Sequence, residues 1–418
     1  GRCALHLRPA QQKCRTVRRS FALGNILPAV MWLVWVCVFA GLAACSETPE
    51  AESPEALTAD LGEPLDMLGA DADGDLLFSG VTRMVPGPDG QIAVVESTFP
   101  RVLVFDSAGT LVDSIAAEGR GPGEFVEPRD AGFLGDTLWV ADRALARVSF
   151  FHNGEFLGSG SLPRFTDLHP DRGAVVVGLL DGRRMLVHTI AVSGMDPLQV
   201  ASEPGFLFVA DSTELEPILR LNVDFVGGML AHRVGGEIRR VSPFPQPFSE
   251  AAKVGIDPVG SRIVVGSVQP RGYEILTLSP NGDTVSVVRR MTPGIEIPNA
   301  VADSIVRARV QGPYSEAVVR DALYVPSRYP AVSGLIPAYD GSVWVARERV
   351  FGVPPAWDVH RSDGSVLSVQ PPEGFDVRVP LGTSVWGLEH DAFDVPRLVR
   401  RPLIRTESNL GTGEAPSN

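Results

Sequence analysis

The chain has 418 residues, is 44% hydrophobic and carries a formal net charge of −13. That length is enough to bury a sizeable core, and the acidic balance disfavours nucleic acid, whose phosphates need a basic footprint. All four cysteines, Cys3, Cys14, Cys37 and Cys45, lie in the first 45 residues, so the rest of the chain is predicted to hold neither disulfides nor cysteine-ligated metal.

In chain order, the first element is a leader over residues 1–44. Six basic residues and no acid occupy Arg2 to Arg19, and an apolar run follows, strongest from Ile26 to Leu42. A basic start, an apolar centre and a small-residue exit make the three-part pattern of a secretory signal. Interrupted by Pro28, the run falls short of the about 20 apolar residues of a retained membrane helix. Its exit, Leu42-Ala43-Ala44-Cys45, resembles the bacterial lipobox. That resemblance implies cleavage before Cys45 and attachment of lipid to it, with simple anchoring or ordinary cleavage as the alternatives. Loss of the six basic residues would take the net charge from −13 to −19. Ser46 rather than aspartate follows the cysteine, which by resemblance to known sorting rules implies the outer membrane. Residues 45–60, with Pro49, Pro54 and several glutamates, are expected to form a disordered tether.

The body, expected over 61–405, contains an internal repeat. At an offset of 46, Gly90 to Val94 meets Asp136 to Val140, Arg101-Val102 meets Arg147-Val148, and Phe105 meets Phe151. Short β-rich runs alternate with Gly, Asn and Asp turns, as in consecutive antiparallel strands. A period in the mid-forties with about four strands per unit predicts a β-propeller. Further units are legible around Arg262 to Val288 and Tyr339 to Gly364. The less regular stretch from Leu162 to Phe248 is assigned two blades, which makes six. Val301, Ile305 and Ala308 at helical spacing, with Asn299 as N-cap, predict a helical insertion over 293–332 before the last blade. Seven blades, one hidden in that insertion, is the alternative. Residues 374–403 and a strand near Leu76 to Phe78 would close the ring, leaving 406–418 as a disordered tail.

Gly119-Arg120-Gly121-Pro122-Gly123-Glu124-Phe125-Val126-Glu127-Pro128 resembles the linker of NHL repeats, in which a glycine-rich turn precedes Phe-x-x-Pro. Val140-Ala141-Asp142 and Arg147-Val148 fit the later part of that motif, which implies an acid and an arginine bracing neighbouring strands. The pattern as a whole resembles six-bladed β-propeller lipoproteins of bacteria. That likeness is specific for fold and weak for function.

Propellers commonly bind ligands where inner strands begin. By the same offset, Arg83 and Arg129 are expected to be equivalent there, Arg164 to repeat them, and Asp130 and Asp167 to lie beside them. Such arginines could hold a small anionic ligand such as a carboxylate or simply brace adjacent blades. Asp71 to Asp75 lacks the glycine and glutamate positions of a calcium loop and reads as a turn. The histidines of the body (His152, His169, His188, His232, His360 and His390) lie singly, without close metal-ligand spacing. Trp139 and Trp344 read as core. No nucleophile elbow or phosphate loop occurs. The expectation is therefore a cell-envelope propeller that binds a small anion or an envelope protein, contacts the membrane through its lipid, and needs no cofactor. The alternative is a lactonase- or lyase-like enzyme using calcium or zinc at the channel. An envelope-complex subunit is a third reading.

Overall fold

A computed structural model describes residues 57–69, 76–115, 118–162, 172–181, 184–191, 206–210, 215–221, 227–234, 237–245, 247–310, 314–323, 325–350 and 353–406. The leader, Cys45, most of the tether, Asp71 to Asp75, Arg164, Asp167 and His169 lie outside the described residues. No helix among those described is long and apolar enough to cross a membrane.

Two short strands come first, β1 (Leu57–Leu61) and β2 (Asp66–Leu68). Three four-stranded antiparallel sheets follow. The first is β3 (Val81–Pro86), β4 (Ile92–Glu96), β5 (Arg101–Phe105) and β6 (Leu111–Ile115). The second is β7 (Pro128–Leu134), β8 (Thr137–Asp142), β9 (Arg147–His152) and β10 (Glu155–Ser161). The third is β11 (Arg172–Leu179), β12 (Met185–Ala191), β13 (Phe206–Ala210) and β14 (Leu215–Arg220). A separate hairpin, β15 (Gly227–Val234) and β16 (Glu237–Pro245), precedes the fourth sheet. That sheet is β17 (Lys253–Ile256), β18 (Ile263–Gln269), β19 (Gly272–Leu278) and β20 (Thr284–Met291). Helices α1 (Asn299–Arg309) and α2 (Glu316–Ala322) come next. The described residues end with β21 (Gly334–Pro337), β22 (Val343–Ala346), β23 (Trp357–His360) and β24 (Val366–Gln370), then β25 (Asp376–Leu381), β26 (Ser384–His390) and β27 (Pro396–Thr406).

The inner strands lie against one another in the cycle β3, β7, β11, β17, β21, β25 and back to β3. Among the described residues this is a six-bladed β-propeller. Six apolar clusters, one between each pair of successive blades, hold it together. Alternation along each strand sends side chains to both faces of a blade, and each face meets a neighbour, so central strands such as β4 are buried at every position. Trp386, fully buried, lies between the last blade and the first.

Closure joins the first described strands to the last. β2 pairs with β27 (Asp66 opposite Arg400) and supplies the fourth strand of the last blade. β1 lies parallel to β24 and antiparallel to β27, which bonds the fifth blade to the sixth. The register places Leu57 at the end of β27 remote from the start of the inner strands, so the chain enters on the face opposite the channel mouth.

Six blades are as expected, but the strands are shared out differently. Among the described residues the 162–248 stretch forms one blade plus the β15–β16 hairpin, because those two strands pair with each other and with no other described strand. The sixth blade is the C-terminal stretch, completed by β2 rather than by Leu76 to Phe78, which are not a strand. β1 also takes residues 57–60 from the stretch expected as tether. The helical insertion is present between the fourth and fifth blades. Pro298, not Asn299, is the N-cap of α1, and Ser315 caps α2 by accepting from the Val318 amide at 3.4 Å. Val306, Tyr314 and Val319 form its small core, and α2 packs on β15.

Inner-strand glycines let neighbouring blades approach closely. A Cβ on Gly255 would stand 2.8 Å from Cδ of Pro337 in the next blade. Gly255→Val should therefore cost about 1–3 kcal/mol by overpacking, read as a lowered midpoint in urea unfolding.

Candidate functional site

The inner strands enclose a cavity of about 480 Å³ along the propeller axis. Glycines on four of them, Gly132, Gly178, Gly255 and Gly334, bring backbone to its wall. Charge is concentrated at the end where the inner strands begin. Arg83 projects from β3, Asp376 and Arg378 from β25, and Arg347 and Arg349 from the loop after β22. At the opposite end Asp257 accepts from Arg262 Nε at 3.0 Å and from the Ser261 hydroxyl at 2.7 Å.

Arg83 is where the sequence places it, on the wall of the mouth and half exposed. Arg129 is not its equivalent. Strands β4 and β8 keep the 46-residue offset, since Ile92 faces Phe105 as Leu138 faces Phe151. The inner strands are offset by 47, with Pro86 opposite Ile92 and Phe133 opposite Leu138. The hairpin spans five residues in the first blade and four in the second, and that single residue slips the register. Arg83 therefore matches Asp130 (opposite Val95 and Ala141 respectively), while Arg129 is the extra residue of a β-bulge. Arg129 turns aside to Glu127, donating from Nη2 at 2.6 Å. Arg83 and Asp130 face each other across the blade boundary at 4.0 Å. Burial raises the Asp130 carboxyl above its usual range, with Arg83 and Arg129 pulling the other way.

The glycine-rich linker before β7 is a pinned turn. Asp142, 1% exposed, accepts from the amides of Val126, Glu127 and Leu145. Arg147 donates to the carbonyl of Glu124 at 2.5 Å. In the first blade the same two positions bond directly, with Arg101 Nε donating to buried Glu96 at 2.5 Å. Trp139 and Trp344 are buried as expected.

Sequence reasoning missed Arg347, Arg349, Asp376 and Arg378. The signal was present: Arg347-Glu348-Arg349 follows directly on the core run Val343-Trp344-Val345, and Arg378 interrupts the next inner strand. Arg378 binds Asp376 at 2.6 Å. Arg347 is anchored behind the wall. It bonds to Asp358, which is fully buried on β23. Arg290 Nε lies 3.2 Å from the same carboxylate, and the Tyr273 hydroxyl donates to it at 2.8 Å. Burial alone would raise Asp358, but Arg347, Tyr273 and Arg290 together hold it below the ordinary carboxylate range. Beside them Lys253 is lowered and Glu348 raised, each chiefly by burial.

His360 completes this cluster, its Nε2 2.7 Å from the Tyr273 oxygen. Burial lowers its pKa to about 4, with Asp358 opposing and Arg290 adding to the drop. The unfolded chain therefore binds this proton more readily than the folded one. Stability should be complete above pH 6.5 and fall as pH drops towards about 4, a loss of up to about 3 kcal/mol. Unfolding midpoints at pH 7 and 4.5 measure it, and His360→Gln should flatten that slope. Of the other described histidines, His152 is half-buried and 3.6 Å from Asp136, and His390 is exposed at the end of β26. Among the described residues no three His, Cys, Asp or Glu side chains converge as metal donors.

No family model matches this chain, and no curated protein matches it. Among solved structures it is similar to an exported protein of Bacteroides fragilis, at 12% identity over 83% of this chain and 99% of that one, with a TM-score of 0.44. It is also similar to a calcium-binding protein, regucalcin, of Agrobacterium tumefaciens, at 9% identity over 84% and 98% of the two chains, TM-score 0.40. A third likeness is to virginiamycin B lyase of Staphylococcus aureus, at 9% identity over 80% and 98%, TM-score 0.37.

Proposed function

We propose that this chain is an exported, lipid-anchored, NHL-like propeller that binds a small carboxylate at its channel mouth. The observation that carries the reading is the convergence of Arg83, Arg347, Arg349 and Arg378, from the first, fifth and sixth blades, on one cavity. On a chain of net charge −13, a basic pocket concentrates field lines and draws anions inward. Guanidinium forks match carboxylates in a bidentate fashion, and a cavity of about 480 Å³ lies within the range of small-molecule sites. Asp376, Asp130 and Asp358 compensate the mouth only in part, which leaves it net positive towards a small carboxylate.

The leader and the lipobox resemblance support export and attachment at Cys45. Leu57, the first described residue after that cysteine, lies at the end of β1 away from the channel mouth.

Thermal unfolding in the presence of succinate, citrate and the matched neutral diamide, succinamide, tests the reading. The two carboxylates should raise the midpoint in a concentration-dependent way, and succinamide should not. Equal shifts with all three would refute an anion site. Stabilisation that vanished after exhaustive chelation would favour the metal-dependent alternative instead.

A further inference from the structure

A second cavity, of about 660 Å³, opens between the fourth and fifth blades at the foot of the helical insertion. Arg290 and Arg347 stand at its base, and both direct their charge at the single carboxylate of Asp358. Two guanidiniums against one buried carboxylate leave an excess positive charge. The other polar groups there do not cancel it: Tyr273 keeps its proton, since burial raises its pKa, and His360 is neutral at physiological pH. The Arg347 Nε is buried without a hydrogen-bond acceptor, and the Arg290 Nε has only the Asp358 carboxylate, at 3.2 Å. Arg271 and Arg328 add two cations at the rim, against Glu250 and Glu348. The walls between base and rim are apolar, built largely of prolines, Met291, Ile295 and Tyr329. Tyr329 is fixed edge-on against Phe248 at 5.3 Å.

We infer that this cleft binds an amphiphilic monoanion, a carboxylate carrying an aliphatic body, with its head towards Arg290 and Arg347 and its tail against the proline-lined wall. Charge at the base and apolar surface above it together select this class. A compact dianion would leave the wall uncovered, and a neutral hydrocarbon would leave the cationic base unmatched. The cleft opens between two blades rather than on the propeller axis, and the inference does not depend on the reading proposed for the channel mouth. Arg347 lines both cavities, so it is left unaltered in the test.

Octanoate is the probe, titrated by calorimetry into the intact protein, with 1-octanol as the uncharged control. Gly294→Leu should block the cleft. The three atoms nearest a Cβ there all belong to the exposed side chain of Arg328, the first at 2.7 Å, and the backbone does not require glycine. We expect octanoate to bind the unaltered protein, octanol to bind at least tenfold more weakly, and Gly294→Leu to weaken octanoate at least tenfold. Arg271→Ala with Arg328→Ala should weaken it about threefold, the scale of exposed charge contributions. Succinate binding should be unchanged in Gly294→Leu, and octanoate binding unchanged in Arg83→Gln. Circular dichroism melting confirms that each variant is folded. Absence of octanoate binding, or binding unaffected by Gly294→Leu, overturns the inference without touching the channel site.

Discussion

Replacing Asp358 by alanine should lower the free energy of unfolding by about 3–5 kcal/mol, the cost of breaking a buried ion pair by removing one partner. The carboxylate is fully buried and serves Arg347, Arg290 and the Tyr273 hydroxyl at once. Without it, two cations and a phenol at the boundary of the fourth and fifth blades lose their common partner. Asp358→Asn should cost less, since it keeps the volume and one acceptor oxygen. Urea unfolding measures both. A double-mutant cycle with Arg290→Met gives the discriminating number. If the network is coupled as its geometry requires, the two losses should be non-additive by about 0.5–3 kcal/mol. Additive losses would mean that Asp358 acts only through packing.

A chain beginning at Gly69, which lacks β1 and β2, should lose its cooperative transition or melt at least roughly 10 °C lower. Ala59 and Leu61 of β1 are buried in the cluster between the last two blades, and burial of Leu61 alone is worth about 1.5–3 kcal/mol. Asp66 of β2 is ion-paired to Arg400. Removing both strands also bares the edges of β24 and β27, which invites pairing with other chains. Light scattering alongside the melt should register that association. Monomeric, cooperative melting at an unchanged midpoint would contradict a ring closed by its N-terminal strands.

The architecture was legible from the sequence where signals are local. The 46-residue repeat, the Asn-Gly and Asp-Gly turns and the burial of Trp139 and Trp344 all follow from short-range pattern. Closure was not legible in detail, because β2 is three residues long and its partner Arg400 is 334 residues away. Nor was the register of the inner strands. One residue fewer in the β7–β8 hairpin leaves the apolar pattern intact yet places Asp130, not Arg129, opposite Arg83. Arg347 and Arg378 went unnoticed for a related reason. Each lies next to an ordinary apolar strand, and only the closed ring brings the two together.

The most direct measurement is calorimetric titration of succinate into the unaltered protein and into Arg83→Gln, Arg378→Gln and Arg129→Gln, at low and moderate salt. Binding should weaken at least tenfold in the Arg83→Gln, Arg378→Gln double variant. It should weaken as well with added salt, as expected for a charge-assisted site. Arg129→Gln should bind as the unaltered protein does, because that guanidinium is turned to Glu127 outside the wall. Succinate affinity indifferent to Arg83 and Arg378, or as sensitive to Arg129 as to them, would contradict an anion site at the channel mouth.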